Sequence, residues 1–262
     1  MSQPSVDILP AVAQLITEDD TPVDNLPSEK QQRLLTEPLY STWIGPGEGR
    51  TFLAAANVGI FYVARNPAIV PDMFLSLDVQ VADNWWQREH RSYFVWEFGK
   101  VPEVVLEIVS NTEGGEDSEK KRSYEQMRIP YYVIYDPMRQ VMDETLTIYK
   151  LGDTGYERQE SRLLPILKLG LTLWDGVFED KHDTWLRWTD EEGVLIPTGK
   201  ESAMEARQYA VQERQRADAA HEQAEAARQQ AAEMARLLDE ARQREERLAA
   251  MLRRAGLDPE QA

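Results

Sequence analysis

The sequence predicts an α/β fold with a long helix appended to its C-terminal end, and three observations carry that prediction. From Pro102 to Pro137 the chain reads PEVVLEIVSNTEGGEDSEKKRSYEQMRIPYYVIYDP, an order of strand, glycine-containing loop, helix and strand. The second strand follows the helix too closely for a hairpin and suits a right-handed parallel crossover. From residue 200 onward the composition shifts to Ala, Glu, Gln and Arg with small or apolar residues at seven-residue spacing, the repeat of a coiled-coil seam. Finally, 42% hydrophobic residues with seven Trp in 262 residues are ample for one mid-sized core plus an appendage. The expected division is an N-terminal arm over 1–27, a domain over 28–199 and a helix over 200–262.

Composition narrows the function. A net charge of −17 argues against a broad polyanion-binding surface, so any nucleic-acid contact must be local or helped by divalent cations. The absence of Cys removes disulfides, thiolate zinc sites and cysteine nucleophiles. A metal ion would have to be held by oxygen ligands. No apolar run approaches eighteen residues, and the first thirty carry Pro, Asp and Glu in place of a basic start, so neither a membrane span nor a signal peptide is expected and the expected address is the cytoplasm.

Taken in order, residues 1–27 show no sustained period. Pro27-Ser28 reads as a helix start with Ser28 as candidate cap, and Leu34, Leu35 and Leu39 recur on one face. Pro38 should kink or shorten that helix. Glu29 falls in its first turn, where the helix dipole alone explains an acid. Phe52 to Ala56 and Val58 to Ala64 read as paired strands with Asn57 near the bend. In IVPDMFLSLDV, from Ile69 to Val79, a strand follows Pro71-Asp72. The segment Asn84 to Lys100, NWWQREHRSYFVWEFGK, interleaves aromatics with Arg88, His90 and Arg91. Such a mixture can stack on bases or bind phosphates; it also carries Glu89 and Glu97, and a lid of core residues is the favoured alternative. Leu146 to Leu151 and Tyr156 to Glu160 flank LGDTG, a hairpin signal. Leu163 to Trp174 and Asp183 to Trp188 complete the domain. His90, His182 and His221 are isolated, without ligand or triad spacing.

Chemistry concentrates in the central unit. Glu107 interrupts the apolar run Val104, Val105, Leu106, Ile108, Val109, and a carboxylate buried there costs several kcal/mol, roughly, unless a cation or donors meet it. Lys120 and Lys121, on the following helix, are the candidates. That helix should open around Asp117 or Ser118 and end before Pro130. Asp72 at a strand start reads alone as a turn residue; paired with Glu107 and a lysine it forms an oxygen cage suited to Mg2+, which takes one or two carboxylates. In the tail, the stripes Ala203, Ala210, Ala217, Ala224, Ala231, Leu238 and Ala206, Ala220, Ala227, Met234, Ala241, Leu248 are broken only by glutamates. Self-association through this helix is expected, with Leu238, Leu248 and Leu252 contributing most. Gly256 and Pro259 should end it.

The ordered series of Asp72 in V-P-D, Glu107 in E-I-V-S, Lys120 in D-S-E-K, Tyr124 and PYYVIYDP resembles the Uma-type family of restriction endonucleases, a branch of the PD-(D/E)XK nuclease superfamily. The resemblance covers about Pro27 to Gly199, and the terminal G-L-D-P-E is also similar. It implies a restriction-endonuclease-like mixed sheet flanked by helices and hydrolysis of DNA phosphodiesters. Asp72 and Glu107 would bind Mg2+, or Mn2+ in its place, and Lys120 would assist the attacking water, with Lys121 in reserve. Where the superfamily pattern has a lysine two residues after the second acid, this chain has Val109. An acid from the first helix completes such sites in the superfamily, and Glu29 is the nearest match. The alternative is a nuclease-like scaffold that oligomerises through its coiled coil.

Overall fold

The computed structural model describes residues 25–47, 49–63, 66–110 and 119–254. Along the chain come α1 (Leu26–Ser41), β1 (Phe52–Ala56), β2 (Ile60–Phe61), β3 (Met73–Leu77), a 3-10 turn (Arg88–His90), β4 (Tyr93–Phe94) and α2 (Val95–Phe98). Then follow β5 (Val104–Ile108), α3 (Lys121–Gln126), β6 (Tyr131–Tyr135), β7 (Leu146–Leu151), β8 (Tyr156–Gln159), β9 (Leu163–Leu164), β10 (Leu169–Phe178), β11 (Lys181–Thr189) and α4 (Gly199–Arg254). The chain forms two compact units, Met1–Ser202 and Ala203–Ala262.

The first unit is built on a mixed sheet in the order β1-β3-β5-β6-β7-β8. β5 and β6 are parallel, joined through α3 as the crossover pattern requires, and the other neighbours are antiparallel. Side chains alternate between its faces with the strand period of two. Met73, Leu75, Val104, Leu106, Tyr131 and Val133 pack against Leu35 and Leu39 of α1 and against Leu169, Leu186 and Trp188 of the smaller β9–β11 sheet. Phe74, Val105, Tyr132 and Ile134 face the other way, onto Tyr124, Met127 and Ile129 from α3 and its exit and onto Tyr93 of β4. Glu107 belongs to this second set, between Val105 and Val109.

Helix α1 begins one turn earlier than its sequence suggests. Asn25 is the cap, its side chain accepting the Ser28 backbone N–H at 3.0 Å, and Pro27 occupies the first turn, where no donor is missed. Pro38 lies inside α1 without ending it. The hairpin read from Phe52 to Ala64 does not form. β1 pairs along its whole length with β3, while β2 pairs in parallel with β4 in a separate ribbon. The chain turns away at Asn57, whose φ of 54° is left-handed, a conformation Asn tolerates better than most residues, and whose backbone N–H reaches Asp72 O at 3.3 Å.

Residues 1–24, the helix-opening candidates Asp117 and Ser118, and the terminators Gly256 and Pro259 lie outside the described residues. Helix α3 is described from Lys121, preceded by a wider turn at 119–120. In the second unit α4 runs on to Arg254 with none of its residues buried. Among the described residues no helix is long and apolar enough to cross a membrane.

Candidate active site

The register of β3 against β5 sets the site. Met73 lies opposite Leu106, so one step further along the antiparallel ladder places Asp72 across from Glu107. Asp72 has left the strand, and its side chain takes over part of the ladder: Oδ2 accepts the Ile108 backbone N–H at 2.6 Å. Oδ1 accepts from Gln32 Nε2 at 3.1 Å. Gln32 is buried on α1 and exchanges amide hydrogen bonds with Asn57, Nε2 to Oδ1 at 3.3 Å and Nδ2 to Oε1 at 2.9 Å. Both carboxylate oxygens of Asp72 are thereby fixed in orientation.

Glu107 is completely buried. Lys120 Nζ donates to its Oε2 at 2.8 Å and the Tyr124 hydroxyl to its Oε1 at 2.6 Å. Burial first, and the charge of Asp72 second, push its pKa up to about 8; Lys120 and Tyr124 pull it down without cancelling them. The phenol of Tyr124 is itself held well above its ordinary value by burial and by Glu107. A carboxyl poised near neutrality beside a second acid has two ways to ionise at low cost, a cation or a proton acceptor. The paired hard oxygens and their mutual repulsion fit a divalent cation that takes one or two carboxylates and fills its other positions with water or phosphate oxygen.

Of the four residues read from sequence, the structure brings three toward one place and separates the fourth. Lys120 meets Glu107, whereas Lys121 lies over the Tyr149 ring at 3.7 Å. Glu29 is exposed and accepts from Arg33 Nη2 at 2.9 Å; Arg33 and Lys30 converge on Glu179 at the turn between β10 and β11, at 2.8 and 2.5 Å. Helix α1 therefore presents Gln32, an amide, to Asp72 where an acid was expected. Among the described residues no cluster of three or more His, Cys, Asp or Glu gathers around the pair.

Sequence reasoning missed Gln32 and Asn57 and left Tyr124 without a role. A signal existed for Gln32: it precedes Leu35 by three and Leu39 by seven, on the stripe that α1 buries. Nothing local marks Asn57, whose partner is twenty-five residues away.

A search of the curated proteins finds no match. Residues 19–176, more than half of the chain, match the model of the Uma2 family, described as "Putative restriction endonuclease", and the chain belongs to that family.

Proposed function

We propose that the chain is a cytoplasmic, Mg2+-dependent endonuclease that hydrolyses DNA phosphodiester bonds, with Asp72, Glu107 and Lys120 as its reacting machinery. The observation that carries this reading is the convergence on one sheet end of two facing carboxylates and a lysine that touches the buried one. Asp72 and Glu107 would hold Mg2+, or Mn2+ in its place; such an ion, when bound, supplies charge compensation for the phosphate and acidifies a water. Lys120, which donates to Glu107, would assist by donating to a phosphate oxygen or to the attacking water. Tyr124 fixes the other Glu107 oxygen, and Gln32 with Asn57 fixes the rotamer of Asp72. Nicking of supercoiled plasmid by the purified protein in Mg2+ or Mn2+ tests the proposal. Wild type should cut, and Asp72→Ala, Glu107→Ala and Lys120→Ala should each lose at least a hundredfold, roughly the scale of a removed electrostatic stabiliser. Equal cutting by the triple variant overturns it.

A second reading is favoured by α4, whose seven-residue stripe is exposed in Leu238 and Leu248. In it the chain is a nuclease-like scaffold that self-associates through this helix. Calorimetry separates the two, since a scaffold takes up Mg2+ or Mn2+ no better than an Asp72→Asn, Glu107→Gln variant does.

A further inference from the structure

None of the 56 residues of α4 is buried, yet the last third of the helix is not polar all round. Met234, Leu237, Leu238, Leu248 and Met251 are each more than half exposed. With Ala241 and Leu252 they recur at steps of three, four and seven residues, so they share one face. An exposed apolar face of this length marks an interaction surface. Glu245 stands in its middle, seven residues after Leu238, four after Ala241 and three before Leu248. Other acids of the helix are answered within it: Glu240 pairs with Arg236 at 3.2 Å, and Glu213, the other glutamate that breaks the stripe, pairs with Arg216 at 2.6 Å. Among the described residues Glu245 takes part in no ion pair. Its neighbour Arg244 lies 3.8 Å from Glu240, longer than a hydrogen bond, with its side chain 74% exposed.

A carboxylate in the middle of an apolar face is covered at low cost only by a partner that brings a cation to it. A second copy of α4 does so in one orientation. With Leu238 and Glu245 at the first position of successive heptads, Arg244 holds the last position of the heptad between them. In a parallel, in-register pair a first-position side chain packs beside that last-position residue of the facing helix, so Glu245 of each copy meets Arg244 of the other, twice over by two-fold symmetry. An antiparallel pair overlapping end to end sets Glu245 against Glu213 and Arg244 against Arg216, acid facing acid and base facing base.

We propose that the face of α4 centred on Leu238, Glu245 and Leu252 docks a second copy of the same helix, parallel and in register, with Glu245 of each copy held by Arg244 of the other. The proposal rests on the self-association reading of α4 and specifies its orientation and the ion pair that sets its register. Both copies enter the pair at Gly199, so two first units join the coil at the same end.

The chain contains no Cys, so one introduced thiol reports the orientation in the full-length protein. Under mild oxidation Ala241→Cys should link copy to copy, far faster than Gln243→Cys on the opposite face, which serves as the collision control. In the antiparallel pair position 241 faces position 217, leaving the two thiols roughly 36 Å apart at 1.5 Å per residue. Light scattering over a concentration series reads the ion pair. Glu245→Arg and Arg244→Glu should each weaken self-association roughly tenfold or more, with helix content unchanged because both side chains face solvent in the single chain. An equal mixture of the two variants should associate more tightly than either alone, since each chain then offers the charge the other lacks. A mixture no tighter than its components overturns the ion pair, and thiols at 241 that link no faster than the control overturn the orientation; in both cases self-association stands if the full chain still exceeds its monomer mass. A full chain that stays monomeric throughout removes self-association and this proposal together, and leaves the face to a helix of another protein that brings its own cation.

Discussion

Ionising Glu107 takes a proton from a carboxyl with no exposed surface that faces the charge of Asp72. Because its pKa is raised from 4.5 to about 8, the folded chain holds this proton more tightly than the unfolded chain. The resulting stabilisation is complete below the unfolded value and is lost as pH rises through about 8. Urea unfolding of metal-free protein should therefore show stability falling by on the order of a few kcal/mol between about pH 5 and pH 9, and Glu107→Gln should flatten that slope. Mg2+ uptake, which requires the proton to leave, should strengthen over the same window with proton release seen in calorimetry. Tyr124→Phe removes a hydrogen bond that favours the charged form, so the alkaline rise of the nicking profile should move up by about one pH unit. Glu107 was legible in the sequence because a carboxylate inside an apolar strand demands a partner, and thirteen residues later Lys120 supplies one. Gln32 was not, since an amide on a helix carries no charge to betray its partner and only the folded crossing of α1 over β3 decides it. Glu29 attracted attention by its charge, and charge is what a solvated first turn accepts most readily.

At the level of elements, strands β3, β5 and β6 were readable because each is a short, dominantly apolar run, interrupted by Ser76 in β3 and by Glu107 in β5, a pattern that burial on both faces imposes. The antiparallel β7–β8 hairpin was readable from LGDTG, with Leu151 opposite Tyr156 closing the turn. The partners of β1 and β2 were not, because two short apolar runs close in sequence look like a hairpin whether or not they pair. Their destinations depend on β3 and β4, which lie further along the chain. Two sets of side-chain contacts then mark where helices α1 and α4 begin. Asn25 caps α1, and Asn25→Ala should cost about 1 kcal/mol in urea unfolding. At the start of α4, Arg187 is nearly fully buried, forms two hydrogen bonds to Glu201 at 2.9 and 2.6 Å, and packs its guanidinium over Trp174. Glu201 also closes a capping box, its backbone N–H donating to Thr198 Oγ1 while its carboxylate accepts the Thr198 N–H. Glu201→Ala leaves a buried guanidinium short of its counter-ion and should cost on the order of 2–3 kcal/mol. Restoration by Glu201→Asp should be partial, because the shorter arm cannot span both donors.

For the whole molecule, the balance between charge and assembly decides how an acidic chain could engage DNA. A net charge of −17 repels a polyanion at long range, so under the proposed function an encounter with DNA would have to be recovered locally, through cations held at Asp72 and Glu107 or through contacts of short reach. Placing two catalytic units on one assembly raises the effective concentration of the second once the first has bound. The 56-residue α4 offers the means. Its stripe is alanine at first and leucine later, so each early layer buries little area and the leucine layers must supply most of the association. Association of this kind should be weak at low concentration and strongly dependent on Leu238 and Leu248. The cut that tests it must spare Glu201, whose carboxylate holds Arg187; deletion of Ala203 to Ala262 does so. Light scattering over a concentration series should then show the full chain exceeding its monomer mass while the shortened chain stays at it. Leu238→Glu with Leu248→Glu in the full chain should reproduce the monomer, because two carboxylates in a seam repel their own copies. Nicking by the shortened chain should persist at high protein concentration and fall away on dilution no faster than linearly, whereas the full chain should lose activity more steeply as it dissociates. An unchanged mass on deletion removes self-association from α4 and leaves the active-site proposal where it stands.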